Sequence, residues 1–371
     1  MGSLADVHDG LEGVLAFATE IAEPDRDGGS LRYRGIDIEQ LVGTVPFETV
    51  WALLVDDQPE RPLRPDQAAG REEGSLVRCG LPLRTGDARV DLQAGVAALA
   101  SAWGLPALVD TSAADARAQL ARISAQAIDL VARSARGWDL PPVPDRTVAR
   151  AATLAERFLL RWRGESDPAQ AAAIDAYWIT AAEHGMNAST FTARVIASTG
   201  ADAAAAISGA IGALSGPLHG GAPARVLQML DAVERSGDPD GHVAALLDRG
   251  ERIMGFGHRV YRAEDPRARA LRRIAEQLDS PRLQVAAELE RAALAALAER
   301  KPDRVLATNV EFWSAVILDH ARVPQDLFTP LFACARMAGW SAHILEQRRT
   351  GRLVRPGALY VGERERTLLR T

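Results

Sequence analysis

The chain has 371 residues, 47% apolar, 25% charged and 5% aromatic, enough for one large domain or two unequal ones around a sizeable core. Its formal net charge of -6 argues against a polyanionic partner such as nucleic acid. A mean hydropathy of -0.08, with no uncharged apolar run of about 18 residues, excludes a membrane-spanning helix.

Taken in chain order, residues 13–34 read as short extended pieces. Val14–Thr19 and Leu31–Gly35 flank an Asp/Gly-rich turn at Asp25–Gly29, which predicts a small hairpin or paired extended arms. Phe47–Val55 has helical apolar spacing. Residues 58–88, punctuated by Pro59, Pro62, Pro65 and Pro82, read as a long loop or eroded helical hairpin. Helices follow near 88–103, 112–135, 146–163, 168–185, 188–199, 202–214, 223–235, 240–249, 266–278, 281–299, 309–321 and 326–349. Asp167 and Pro168 supply a cap and a first helical position for one of them. Strand–turn–helix repeats and fixed-period repeats are both missing, so the fold class is mainly α.

Lys301 is the one lysine among 43 basic residues, so bulk arginine reflects composition and only arginines in specific places carry weight. Cys79 and Cys334 stand far apart with no Cys/His cluster, which excludes a zinc site or disulfide scaffold and points to a reducing compartment. Asp6, Asp9 and Glu12 precede the first apolar stretch and fit neither a secretory signal nor a basic transit peptide, so a cytoplasmic protein is expected.

Three glycine–histidine segments carry chemistry. In Gly216-Pro217-Leu218-His219-Gly220-Gly221 an apolar helix ends at Leu214 and another starts at Pro223. His219 then lies in a loop before a helix N-terminus, where the dipole disfavours imidazolium and a neutral ring can donate to a carbonyl or enolate oxygen. In Gly255-Phe256-Gly257-His258-Arg259-Val260-Tyr261-Arg262, followed by Asp265-Pro266-Arg267, a histidine sits among arginines suited to a carboxylate or phosphate. In Glu183-His184-Gly185-Met186-Asn187 a helix carrying His184 breaks at Gly185, and Asn187 can cap the next helix. Each segment alone is equally compatible with a loop histidine, a solvated arginine turn or a simple cap.

Together, and in this order, they resemble the citrate synthase family, from about Leu11 to Gly362. The resemblance is carried by Leu31-Arg32-Tyr33-Arg34-Gly35, His184-x-x-Asn187-x-Ser189-Thr190, Gly216-Pro217-Leu218-His219-Gly220-Gly221-Ala222 and Gly255-Phe256-Gly257-His258-Arg259-Val260-Tyr261. Asp265-Pro266-Arg267-Ala268, Asn309-Val310-Glu311-Phe312, Arg336-x-x-Gly339-Trp340-x-x-His343 and Arg355-Pro356 complete it.

The resemblance implies a two-domain helical fold. Residues 1–221 and 322–371 would form a large domain with the dimer core and the oxaloacetate site, and 222–321 a small domain bringing the coenzyme A and catalytic residues. It implies condensation of acetyl-CoA with oxaloacetate and hydrolysis to citrate and CoA. No metal and no resident cofactor are implied; the coenzyme A thioester is a substrate. His219 would stabilise the enolate, His258 polarise the ketone, and Glu311 abstract the methyl proton. His184, Asn187, Arg267, Arg336 and Arg355 would hold oxaloacetate, with Arg355 reaching in from the second subunit of a homodimer. Arg262 and Arg304 would meet the coenzyme A phosphates. Neither nucleic acid nor membrane is implied as a partner.

The chain departs from the family pattern at Glu311, where aspartate is usual, and more mildly at Pro223 and Thr308. Two other functions share the same sequence features. One is 2-methylcitrate formation from propionyl-CoA, since one methylene changes pocket preference by only about 1–3 kcal/mol. The other is a catalytically impaired metabolite-binding or regulatory protein, favoured by Glu311 alone.

Overall fold

The structure is a computed structural model that describes residues 7–11, 13–25, 27, 29–68, 85–137, 139–216, 219, 223–257, 261, 264–304 and 306–363. Its first regular element is a three-stranded antiparallel meander of β1 (Ala22–Asp25), β2 (Ser30–Tyr33) and β3 (Ile36–Asp37), with Ala22 opposite Tyr33 and Arg32 opposite Asp37. The turn falls where expected, but its first arm is Ala22–Asp25; Val14–Thr19, expected as the extended arm, are irregular chain, and β3 is one further short strand.

Helices account for most of the rest: α1 (Ile38–Leu41), α2 (Phe47–Asp56), α3 (Ala88–Trp103), α4 (Ala113–Arg136), α5 (Asp145–Val148), α6 (Leu154–Arg163), α7 (Pro168–Ala181), α8 (Ala188–Ser198) and α9 (Ala203–Leu214). They continue with α10 (Pro223–Ser236), α11 (Pro239–Asp248), α12 (Pro266–Gln277), α13 (Leu283–Arg300), α14 (Val310–His320) and α15 (Phe328–Thr350). The mainly α reading holds. The single helix expected over 146–163 is two, because Thr153 caps a fresh start at Leu154. Within 58–88, Pro65–Ala68 form one 3-10 turn, and 69–84 lie outside the described residues.

Most starts are set by a short polar side chain. Asp87, Ser112, Thr153, Asp167, Asn187, Asp202, Asp265 and Asn309 each accept from an amide two or three residues on, which satisfies donors the helix itself leaves unpaired. At the centre runs α15, buried around most of its circumference and packed on α2, α4, α7, α8 and α9. It buries polar as well as apolar side chains, Arg336, His343, Glu346 and Gln347 among them. Its own Trp340 and the neighbouring Trp51 and Trp178 are fully buried, and Phe47 and Phe158 pack on Trp178 with ring centroids 5.5 and 6.2 Å away. Helices α10 to α14 pack mainly on one another, and α12 and α14 meet α7. Among the described residues no helix is long and apolar enough to cross a membrane.

Candidate active site

Three breaks in the helical framework converge. The first is the turn between α7 and α8. Helix α7 ends at Ala181, so His184 stands beyond it in non-helical chain, not on a helix as the sequence suggested. The Tyr33 hydroxyl explains the stop. It accepts from the Glu183 amide at 3.2 Å and lies 3.0 Å from the carbonyls of Ile179 and Glu183, taking the place of the next helical bonds. His184 Nε2 lies 3.0 Å from the Tyr261 hydroxyl, with the two rings edge to face. Asn187 then caps α8. Its Oδ1 accepts from the amides of Ser189 and Thr190, each at 3.1 Å, and from the Ser189 hydroxyl at 2.8 Å.

The second break carries His219, the one described residue between Gly216 and Pro223. His219 Nε2 lies 3.0 Å from Ser189 Oγ, which also accepts from the Trp340 indole at 3.2 Å. Ser189 has one hydroxyl hydrogen and two neighbours to receive it. Directed at Asn187, it requires His219 to donate from Nε2. Directed at His219, it fixes the Nδ1–H tautomer. Burial holds the His219 imidazole below the ordinary histidine value, and the Arg336 guanidinium adds to the effect. Burial and a nearby cation thus favour the neutral ring, where the sequence suggested a helix dipole.

The third break joins residues 253–257 to the start of α14. Phe256 and Thr308 form an antiparallel bridge; the Gly257 amide donates to the Ala307 carbonyl at 2.7 Å, and Asn309 donates from its side chain to the Gly257 carbonyl at 2.8 Å. Gly255 has φ 88°, and a Cβ there would lie 2.8 Å from Phe312 Cβ, so the turn demands glycine. This bridge fixes the approach to Glu311, whose amide donates to the capping Asn309 Oδ1 at 3.0 Å.

Asp265 ties the third break to α12. It caps that helix through the Arg267 amide, takes the Arg267 guanidinium in a fork at 3.0 and 2.8 Å, and accepts from the Val310 amide at 3.0 Å. Burial works against the charge of Arg267, but Asp265 more than offsets it and holds the guanidinium above its ordinary value. Glu311 is half-buried. Burial pushes its carboxyl above the usual carboxylate range, with Arg267 opposing and Asp265 adding to the shift. Arg336, on α15, is buried and donates from Nε to the Ala181 carbonyl at 2.7 Å. Burial lowers its pKa, and Glu183 opposes that.

Arg336 thus acts electrostatically on both His219 and Arg267, and Arg267 on Glu311. His184, Asn187, His219, Arg267, Glu311 and Arg336 share one region. Arg355 and Arg304 do not join it within the chain: both are exposed, on the C-terminal segment and after α13 respectively. His258 and Arg262 lie outside the described residues. Ser189, Tyr261, Asp265 and Trp340 stood in the sequence motifs without a role; the first three each contact a site residue, and Trp340 holds Ser189. Spacing alone gave one usable sign, since Ser189 falls in the first turn after a capping asparagine. Among the described residues no cluster of histidine, cysteine and carboxylate side chains is placed to hold a metal ion.

A half-buried carboxyl of raised proton affinity, a half-buried histidine of lowered proton affinity and two buried arginines suit proton abstraction next to a carbonyl, with a carboxylate-bearing partner held alongside. The comparisons agree. Residues 10–357 match the family model described as citrate synthase, C-terminal domain. The Mycobacterium tuberculosis protein named "Putative citrate synthase 2" is 61% identical over 354 residues, covering 95% of this chain and 92% of its own. Citrate synthase of Haloferax volcanii is 37% identical over 372 residues, with 96% of each chain covered. Citrate synthase of Thermoplasma acidophilum, solved in a ternary complex with carboxymethyl coenzyme A and oxaloacetate, superposes with a TM-score of 0.81 at 27% identity and 98% coverage of both chains. The all-helical framework is the citrate synthase fold, and the chain belongs to the citrate synthase family.

Proposed function

We propose that the chain is an acyl-CoA:oxaloacetate C-acyltransferase that makes citrate and CoA from acetyl-CoA, oxaloacetate and water. The observation that carries this reading is the position of Glu311, a half-buried carboxyl of raised proton affinity beside the Arg267–Asp265 pair and in one region with His219 and Arg336. The ligands of the Thermoplasma complex support the same substrate classes.

In this reading Arg267, Arg336 and His184 hold the two carboxylates of oxaloacetate. Glu311 takes a proton from the acetyl-CoA methyl group. A neutral His219, donating from Nδ1, receives the charge that develops on the thioester oxygen. The enolate carbon attacks the oxaloacetate ketone carbon, and His258 protonates the resulting alkoxide. Water then cleaves the thioester, releasing citrate and CoA. The donor tautomer of His219 needs the Ser189 hydroxyl hydrogen on Nε2, which makes Ser189 part of the enolate device. Arg262 and Arg304 serve the coenzyme A phosphates, and the chain works in the cytoplasm.

Residues 1–221 with 322–371, and 222–321, serve as the two domains, the second carrying Arg267 and Glu311. The active unit is a homodimer in which Arg355 completes the partner's site. Support comes from the exposure of Arg355 on an extended segment together with exposed Leu15, Tyr360 and Val361, apolar surface that a second copy would cover.

Steady-state release of free CoA, measured in parallel with acetyl-CoA and propionyl-CoA, tests the proposal. Faster turnover with acetyl-CoA is expected. Preference for propionyl-CoA would make the product 2-methylcitrate, and no release with either would overturn the catalytic reading.

A further inference from the structure

Helix α15 faces the break between α7 and α8 with a single stripe: Arg336, Gly339, Trp340, His343, Glu346 and Gln347. Contact is intimate. The Gly339 amide donates to the Ala182 carbonyl at 3.1 Å, and a Cβ on Gly339 would lie 2.6 Å from that oxygen and overlap Glu183 Oε2. Glu183 is wholly buried, as are His343 and Arg194. Among the described residues neither Glu183 oxygen accepts a hydrogen bond, and His343 Nε2 lies 3.3 Å from Oε1. On its other side His343 Nδ1 lies 2.8 Å from Arg194 Nη1. Arginine only donates, so Nδ1 must be bare, and the His343 proton sits on Nε2, facing Glu183. Arg194 is in turn held by Glu346 at 2.6 Å and Gln347 at 3.1 Å and lies over the Phe17 ring.

Glu346 pairs with Arg194. Glu183 packs against Gly339, one turn along α15 from Arg336, the arginine assigned above to a substrate carboxylate, and its charge supports that of Arg336. Glu183 also immediately precedes His184, and Tyr33 pins both its backbone polar groups.

We propose that Glu183 and His343 are positioning residues of the dicarboxylate site. Glu183, facing the Nε2–H tautomer of His343 that Arg194 enforces, is the resident counter-charge of Arg336. It compensates the charge of that arginine while the site is empty, and it weakens the hold on an incoming carboxylate by repelling it. The inference rests on the proposed function.

Oxaloacetate affinity, measured by titration calorimetry beside thermal melts of the ligand-free protein, tests it. Glu183→Gln removes the charge at nearly constant shape. The expected result is about tenfold tighter oxaloacetate binding together with a lower ligand-free melting temperature. A role in packing alone would lower the melting temperature and leave the affinity unchanged or weaker, and that result overturns the inference. His343→Leu removes the polar Nε2–H that faces the Glu183 carboxylate and puts apolar surface in its place, which disfavours the charge and should copy the tighter binding. His343→Gln supplies an acceptor for Arg194 and a donor for Glu183, and should return the affinity towards wild type. If Glu183→Gln does not fold, this histidine pair carries the comparison, and equal affinities for Leu and Gln overturn the inference. Failure of oxaloacetate to bind the wild-type protein would overturn the proposed function itself, and the inference with it. Wild-type binding with unchanged variants would overturn the inference alone.

Discussion

Ser189 Oγ lies 3.0 Å from Nε2 of His219, with its second lone pair taken by the Trp340 indole. Whether the one hydroxyl hydrogen of this residue, two positions after a helix cap, points to Asn187 or to His219 decides which nitrogen is protonated on a histidine 30 positions further along the chain.

Ser189→Ala should therefore impair the enolate step more than substrate capture. Turnover is expected to fall by at least about tenfold, with a small change in the oxaloacetate requirement, because a misdirected donor affects only developing charge. Equal losses in kcat and in oxaloacetate affinity would assign Ser189 to packing.

Glu311→Gln should abolish exchange of acetyl-CoA methyl protons with solvent while oxaloacetate binding persists. Glu311→Asp retracts the carboxylate by one bond, about 1.5 Å, and turnover should fall about 100-fold. The base must be ionised to act, and burial raises its pKa. Wild-type kcat should accordingly fall as pH drops through a value above the ordinary glutamate range, and Glu311→Asp should move that acid limb.

Arg267→Ala and Arg336→Ala should each raise the oxaloacetate requirement about 100-fold, since a buried carboxylate loses its charged partner. Arg355 is tested by mixing. If it serves the partner's site, Arg355→Ala and Glu311→Gln subunits, each inactive alone, should recover up to about a quarter of wild-type turnover when reassembled together, because hybrid dimers hold one intact site. No recovery would leave Arg355 within its own subunit.

Asp175 and Glu48 make stability pH-dependent. Asp175 accepts from the Phe47 amide at 2.9 Å, and Glu48 from the Leu154 amide. Burial pushes Asp175 up to about 7, with the Glu48 charge adding to the shift. The folded state therefore keeps a proton that the unfolded chain gives up near its ordinary value. Stability should decline as pH rises from about 4 to about 7, and Asp175→Asn, which keeps the acceptor for Phe47, should flatten that decline. Chemical denaturation at pH 5.5 and 8 would measure it; parallel losses in wild type and variant would exclude Asp175 as the source.

Periodicity and capping residues made the framework legible. Phe47–Val55 and the Asp167-Pro168 start fall where the spacing put them, since a helix that buries one face must repeat that face in sequence. What escaped was whatever depends on two distant segments meeting. The end of α7 is set by Tyr33, 146 positions from the Ile179 carbonyl it meets, so local pattern carried the helix on to His184. The bridge between Phe256 and Thr308 is equally nonlocal. Among site residues, those whose chemistry is visible in the side chain, His219, Arg267 and Arg336, were legible. Asp265 was not, because its importance lies in four simultaneous bonds that only the folded chain assembles.

Those bonds of Asp265 have a mechanical consequence. One carboxylate clasps the guanidinium of Arg267 and the first amide of the helix that carries Glu311. Whatever displaces α12 carries the start of α14 with it, so Arg267 and Glu311 move together; in the proposed reaction they are an anion grip and a proton acceptor that travel as a preassembled tool. Arg336, Trp340 and Ser189 are likewise locked together by α15 against the ends of α7 and α8. Bringing the two sets into register is then a single rigid-body placement, without a separate search of torsions for each side chain. The entropy of ordering those side chains is spent during folding, and none of it is left to oppose the encounter with substrate.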